Sequence, residues 1–175
     1  ILIGDRGLFT RYADLDYADD ALLEIARHYF EKKQYPEAER VYQQLVSKYQ
    51  TSEWAELAEY QLAVTVFKQV RGVDYDQAPL KRAKRLFNAY PKHYPRGVHI
   101  DEVRDYLARI SEMEAGHDLK VAKYYLRESR PEAAMYYLRE VLLNNPKTDS
   151  AREAREIYEQ MADFRGIFES EGGTG

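Results

Sequence analysis

The sequence predicts an all-α chain of about seven paired helices, stacked as a right-handed superhelix or α-solenoid. Three observations predict it. One apolar spacing recurs three times, and a helix with a matching stripe precedes each copy. Glycine and proline, only 9 and 6 in 175 residues, sit mostly between the apolar-periodic segments.

The recurring segments are Ala38–Tyr42–Leu45–Gln50, Ala83–Phe87–Tyr90–Pro95 and Ala134–Leu138–Val141–Pro146. Each reads small, large, large, then stop, at offsets of four, seven and twelve. Offsets of four and seven put three side chains on one helical stripe. The alanine admits a close partner helix, the larger residues fill the groove, and proline ends the run.

Leu22, Ile25, Ala26 and Tyr29 make the stripe before the first copy, and Val121, Ala122 and Tyr125 that before the third. Ala26 and Ala122 each lie twelve residues before the following alanine. Leu62, Ala63 and Val66 precede the middle copy, where twenty residues separate the alanines, an insertion of eight. Tyr35-Pro36-Glu37-Ala38 and Arg130-Pro131-Glu132-Ala133 are the turns of the uninterrupted copies, proline being favoured in a first helical turn. These small and large core positions match the tetratricopeptide repeat.

Helices are expected near 17–33, 36–49, 52–69, 79–93, 98–128, 131–144 and 148–162. Thr51-Ser52-Glu53 and Thr148-Asp149-Ser150 supply N-caps. The fifth helix is unusually long, and the sequence leaves open whether Gly116 kinks it, splits it or neither. The domain organisation is then an irregular segment 1–16, a repeat domain 17–162 and a flexible tail 163–175. Within the domain the repeats fall at about 17–50, 52–95 and 98–146, with a partial fourth at 148–162. A solenoid needs a capped end, so the chain is expected to be a fragment or to meet a partner there.

Composition excludes several classes. The 26 basic and 30 acidic residues nearly cancel, at a net charge of −4, without the overall basic footprint of a nucleic-acid binder. With no cysteine there is neither a disulfide nor a thiolate metal site. No apolar run approaches the roughly 18–20 residues that span a bilayer. The 16 tyrosines suit a helical stack, with rings packed between helices and hydroxyls in water.

Catalytic motifs are missing: no Gly-rich phosphate loop, no G-x-S-x-G elbow and no H-E-x-x-H pairing of His28, His93, His99 or His117. The histidines read as surface or partly packed residues. Val73-Asp74-Tyr75-Asp76-Gln77 lacks the further oxygen ligands and central glycine of a calcium loop. Its acids read instead as capping the following helix. No cofactor, no metal and no enzymatic activity are expected; the chain reads as a protein-binding scaffold.

In such a stack the first helix of each pair lines the concave face. Counted from the small core residues, groove positions are Leu23, Arg27 and Phe30, then Tyr60, Val64 and Phe67, then Leu119, Lys123 and Arg127. Aromatic and aliphatic side chains beside basic ones suit an extended peptide with apolar side chains and a carboxylate. Some of these residues could equally pack inside the repeats.

The irregular parts carry a more specific resemblance. The inserted turn Phe67-Lys68-Gln69-Val70-Arg71-Gly72-Val73-Asp74-Tyr75-Asp76-Gln77-Ala78-Pro79 leads into Ala83, Phe87 and Tyr94-Pro95. The long helix carries Leu107-Ala108-Arg109, Glu114 and the run His117 to Arg127, followed by Ala133-Ala134. Over roughly residues 17–160 this resembles the BamD (ComL) family of outer-membrane assembly lipoproteins. The resemblance implies a non-catalytic component of the complex that inserts β-barrel proteins, on the periplasmic side of the outer membrane. Its anchor would be a lipid on a cysteine upstream of these residues. Unfolded barrel substrates would bind the groove of Leu23, Arg27, Phe30, Tyr60, Val64 and Phe67. The barrel subunit would dock near Lys123, Arg127, Tyr136, Tyr137 and Arg139. Without the resemblance, the alternative is a general tetratricopeptide adaptor of another envelope or cytosolic complex.

Overall fold

The computed structural model describes residues 18–72 and 76–171, with side chains as far as residue 162. Among them are seven helices: α1 Ala18–Glu31, α2 Tyr35–Lys48, α3 Ala55–Lys68, α4 Ala78–His93, α5 Ile100–Arg127, α6 Pro131–Asn144 and α7 Asp149–Glu171. The expected irregular segment 1–16, the loop residues Val73, Asp74 and Tyr75, and the last four residues lie outside the described residues. The chain divides into two compact units, Ile1–Asp105 and Tyr106–Gly175.

In the first unit α1 packs on α2, α2 on α3 and α3 on α4. The expected small positions make these contacts possible, for Ala26, Ala38, Ala63 and Ala83 are fully buried. Tyr42 and Leu45 of α2, and Phe87 and Tyr90 of α4, fill the space beside them. Helix α3 lies between two neighbours, and its second half is buried nearly all round, from Leu62 to Phe67. The one hydroxyl in that stretch, Thr65 Oγ1, donates to the Gln61 carbonyl at 2.6 Å, so its burial leaves no donor unpaired.

The α1–α2 and α5–α6 turns are copies of each other. Lys33 and Ser129 take left-handed backbone, at φ 59° and 55°. Gln34 N–H donates to Tyr29 O and Arg130 N–H to Tyr125 O, each at 2.9 Å. Lys33 N–H reaches Phe30 O and Ser129 N–H reaches Leu126 O, completing the double closure of a Schellman turn. Pro36 and Pro131 then open the next helix, where a missing N–H costs nothing. The inserted α3–α4 turn is built differently: Asp76 Oδ1 accepts the Ala78 N–H at 2.8 Å, the capping role read for this acid.

In the second unit Ala115, Leu119 and Ala122 of α5 meet Leu138 and Val141 of α6 and Ala151 and Ala154 of α7. Helix α5 runs unbroken through Gly116. Helix α7, expected to end near 162, continues to Glu171. Phe164, Ile167 and Phe168 keep helical spacing in that extension, which also carries Gly166. Its N-cap is the expected Thr148, whose Oγ1 accepts the Ala151 N–H at 3.0 Å. By contrast α3 starts three residues later than expected, because Ser52 caps the preceding turn through the Trp54 N–H at 3.1 Å.

A second periodic device joins successive repeats. Near the start of α1, Asp19 accepts the Ser52 hydroxyl at 2.5 Å and Asp20 the Trp54 indole N–H, just before α3. From α3, Glu56 Oε1 accepts the Tyr90 hydroxyl at 2.7 Å and the Val98 N–H at 2.8 Å, just before α5. From α5, Glu112 accepts the Asp149 N–H at 2.8 Å, the Ser150 N–H at 3.1 Å and the Ser150 hydroxyl at 2.6 Å, at the start of α7. Each first helix thus presents an acid to the entry of the next first helix. At α7 the carboxylate also satisfies backbone donors that a helix start leaves open, and these acids all lie near the partial positive charge of an entry.

Candidate functional site

Leu23, Arg27 and Phe30 follow one another at offsets of four and seven, so α1 presents them on one stripe. They face α3 across a cavity of about 260 Å³, also lined by Glu31, Tyr42, Leu57 and Gln61. Leu23 and Tyr42 are its buried floor. Phe30 stands edge-on to Tyr35 at 5.5 Å, which fixes its ring at one side. Arg27 is exposed at the rim and pairs with Glu24 at 3.2 Å, leaving guanidinium donors open to solvent. Burial pushes the Tyr42 phenol up to about 12, against the pull of Arg27 and with the help of Glu24 and Glu31. The hydroxyl therefore stays protonated at any physiological pH. The arrangement is an apolar slot with one neutral hydroxyl at its base and one charge of each sign at its rim.

Tyr60, Val64 and Phe67 are not part of this cavity. Val64 and Phe67 are only 5% and 8% exposed, and Phe67 packs edge-on to Phe87 at 6.5 Å. Tyr60 stacks on His99 at 4.0 Å. The reason is geometric. Equivalent positions of successive repeats point the same way, so they cannot form the two facing walls of a cleft between those repeats. The wall opposite α1 belongs to the adjoining face of α3, Leu57 and Gln61. Leu119, read as the third repeat's groove residue, is likewise in the core.

The second candidate surface lies in the other unit. Tyr125 stacks on Tyr137 at 5.6 Å and 16°, with Tyr124 edge-on to Tyr125 and Tyr136 edge-on to Tyr137. The Arg130 guanidinium sits 5.5 Å from the Tyr125 ring centre. Of these, Tyr124 is 50% and Tyr136 60% exposed, and Leu143, seven residues along α6, is 72% exposed. Arg127 and Arg139 are exposed as well. Lys123 is instead turned to α7, where its ammonium meets Glu153 at 2.6 Å. The structure thus brings Tyr136 and Tyr137 together. It adds Tyr124, Tyr125, Arg130 and Leu143, which helical spacing alone does not separate from core tyrosines and leucines.

His28 and His93 are exposed, while the His99 ring is stacked on Tyr60. His93 Nδ1 lies 2.8 Å from Glu59, and the backbone N–H of His99 donates to the Tyr90 hydroxyl at 3.3 Å. Among the described residues no group of three or more His, Asp or Glu is placed to hold a metal ion, and no helix is long and apolar enough to cross a membrane.

The sequence profile of the YfiO family, described as outer membrane lipoprotein, matches residues 7–171. The chain belongs to this family. The resemblance carried by the inserted turn and by the long helix running into Val121–Arg127 therefore holds. A relative in the same line is the outer membrane protein assembly factor BamD of Caulobacter vibrioides, 25% identical over 121 residues. That alignment covers 69% of this chain and 40% of the relative, so the chain spans well under half of the relative's length. In this YfiO-family chain the cavity and the exposed tyrosines are two candidate surfaces among the described residues.

Proposed function

We propose that this chain is a non-catalytic scaffold of the machinery that assembles β-barrel proteins in the outer membrane. The observation that carries the reading is the cavity between α1 and α3 in a member of an outer membrane lipoprotein family. Unfolded barrel segments alternate apolar and polar side chains. One apolar or aromatic side chain fits a slot of about 260 Å³, while the Arg27 guanidinium takes a backbone carbonyl or a carboxylate. The barrel-forming subunit docks on the other unit through Tyr136, Tyr137, Arg127 and Arg139, with Tyr124 and Leu143 adding apolar area; Lys123 contributes by holding α5 to α7. Tyrosine and arginine are the residue types that dominate such contacts. The protein works on the periplasmic side of the outer membrane, held by a lipid on a cysteine upstream of these residues.

A photo-cross-linking amino acid at Gln61 tests the reading. It is expected to trap a barrel protein diluted from urea, and Arg27→Glu to weaken that trapping several-fold. Equal yields from Gln61 and from the exposed Asn144 would reject the cavity as the substrate site. Separately, Tyr136→Ala with Arg139→Glu is expected to remove co-purification of the barrel subunit while leaving the Gln61 cross-link intact.

A further inference from the structure

Helix α4 has a charge pattern that its own stability does not explain. It carries Lys81, Arg82, Lys84, Arg85 and Lys92 and no acidic residue. Each of the other six described helices has an aspartate or glutamate in its first turn, where the helix dipole favours one; α4 has none. On α1, α5 and α7 an arginine pairs with an acid three residues before it, which α4 cannot do.

The cations are also ordered. Lys81, Arg85, Asn88 and Lys92 follow at four, seven and eleven, a single stripe, and all four are exposed. Leu80, Ala83, Phe87 and Tyr90 form the buried face. At 100° per residue the stripe lies roughly 120–180° from the centre of that face, so it runs along the outward side of the helix for about 16 Å. Arg96 follows it, exposed, in the next turn. Among the described residues, the acids that meet α4 bind groups outside the stripe. Glu39 binds Arg82 and Gln69, Glu59 binds His93 and Tyr94, and Asp76 caps the helix itself.

We infer that this stripe is a docking line for an anionic phospholipid surface. The stripe holds three cations and one amide with no apolar side chain between them, so it reads charge without reading sequence, as a headgroup layer requires. An acidic polypeptide held in register would use backbone donors, and inside a helix those are already taken. The family is one of outer membrane lipoproteins, so a phospholipid leaflet lies within reach of a lipid-tethered chain.

The test is sedimentation of the chain with vesicles of phosphatidylcholine alone or with about one third phosphatidylglycerol. Partitioning is expected onto the anionic vesicles only, and to fall as salt shortens the screening length. Lys81→Gln, Arg85→Gln and Lys92→Gln combined are expected to lower it on the order of 100-fold. Lys81→Arg with Lys92→Arg keeps it, as does a charge-matched control of Lys32→Gln, Arg40→Gln and Lys48→Gln, with circular dichroism checking that each variant is folded. Equal losses in the two triple variants would overturn the inference, since net charge alone would then explain binding. So would indifference of the unsubstituted chain to phosphatidylglycerol. If polyglutamate bound through α4 while anionic vesicles did not, the partner would be an acidic polypeptide and the lipid assignment would fall.

Discussion

Gly97 and Gly116 look alike in the sequence, yet a methyl group would meet different surroundings at each. At Gly97 an added Cβ would lie 2.6 Å from the Tyr90 hydroxyl, 2.8 Å from Glu56 Oε1 and 3.0 Å from Tyr90 Cζ. The Tyr90 ring is buried and cannot swing away, so Gly97→Ala is expected to cost about 1–3 kcal/mol in urea unfolding, by breaking the Tyr90–Glu56 bond. At Gly116 the one close atom is Ser150 Oγ at 3.4 Å, an ordinary contact. Gly116→Ala is therefore expected to stabilise by up to about 1 kcal/mol, the usual helix-interior difference. A loss there would mean that α5 and α7 approach too closely for a methyl. Ser129, at φ 55°, is strained as any L side chain is in that region, so Ser129→Gly should add about 0.5–1 kcal/mol. The sequence marks the glycine at 116 but not what faces it, which is why continuity of the fifth helix could not be read there.

Helices, in contrast, are nearly all legible from spacing, and where they were not the cause lies in who caps whom. Helix α3 starts at Ala55 and not at Ser52 because Ser52 closes a turn to Trp54 rather than the helix itself. The entry of α7 is held by Glu112, some 37 residues upstream, a dependence that local patterns do not carry. Burial works to raise the Glu112 carboxyl, but the Ser150 hydroxyl, the Asp149 and Ser150 N–H groups and Arg152 outweigh it and hold it below the usual carboxylate range. A lowered folded pKa means that its stabilisation is complete above the ordinary carboxylate value and is lost as pH falls through the folded one. Hydrogen exchange at the Asp149 and Ser150 amides should thus remain protected at pH 7 and open in acid. Glu112→Gln should remove most of that pH dependence; identical profiles would show that Glu112 does not hold α7. Asp118, raised by burial and by Glu114 and Glu140 against the pull of His117, has the opposite sign. Its charged form destabilises at neutral pH, so Asp118→Asn should melt higher at pH 7, the gap closing in acid.

Across the whole chain, periodic burial was legible and facing was not. Ala26, Ala38, Ala63, Ala83, Ala122 and Ala134 are all fully buried, as the three repeated stripes require. The α1 wall of the cavity follows from counting along one helix, whereas the α3 wall depends on which face of a sandwiched helix looks back. The tyrosine surface was legible only as a pair, because spacing does not tell an exposed ring from a buried one. The same limit hid the acids at 19, 56 and 112, whose partners sit about one repeat ahead. Their order along the chain has a consequence for how the protein comes into being. Every such carboxylate precedes the segment it secures, never the reverse. A chain leaving the ribosome from its N-terminus therefore exposes each latch before the piece it must catch, and growth of the array needs no waiting for later residues. Damage follows the same arrow. Trimming from the C-terminal end returns a glutamate to water, while trimming from the N-terminal end strips a surviving repeat of the group that fastens its entrance.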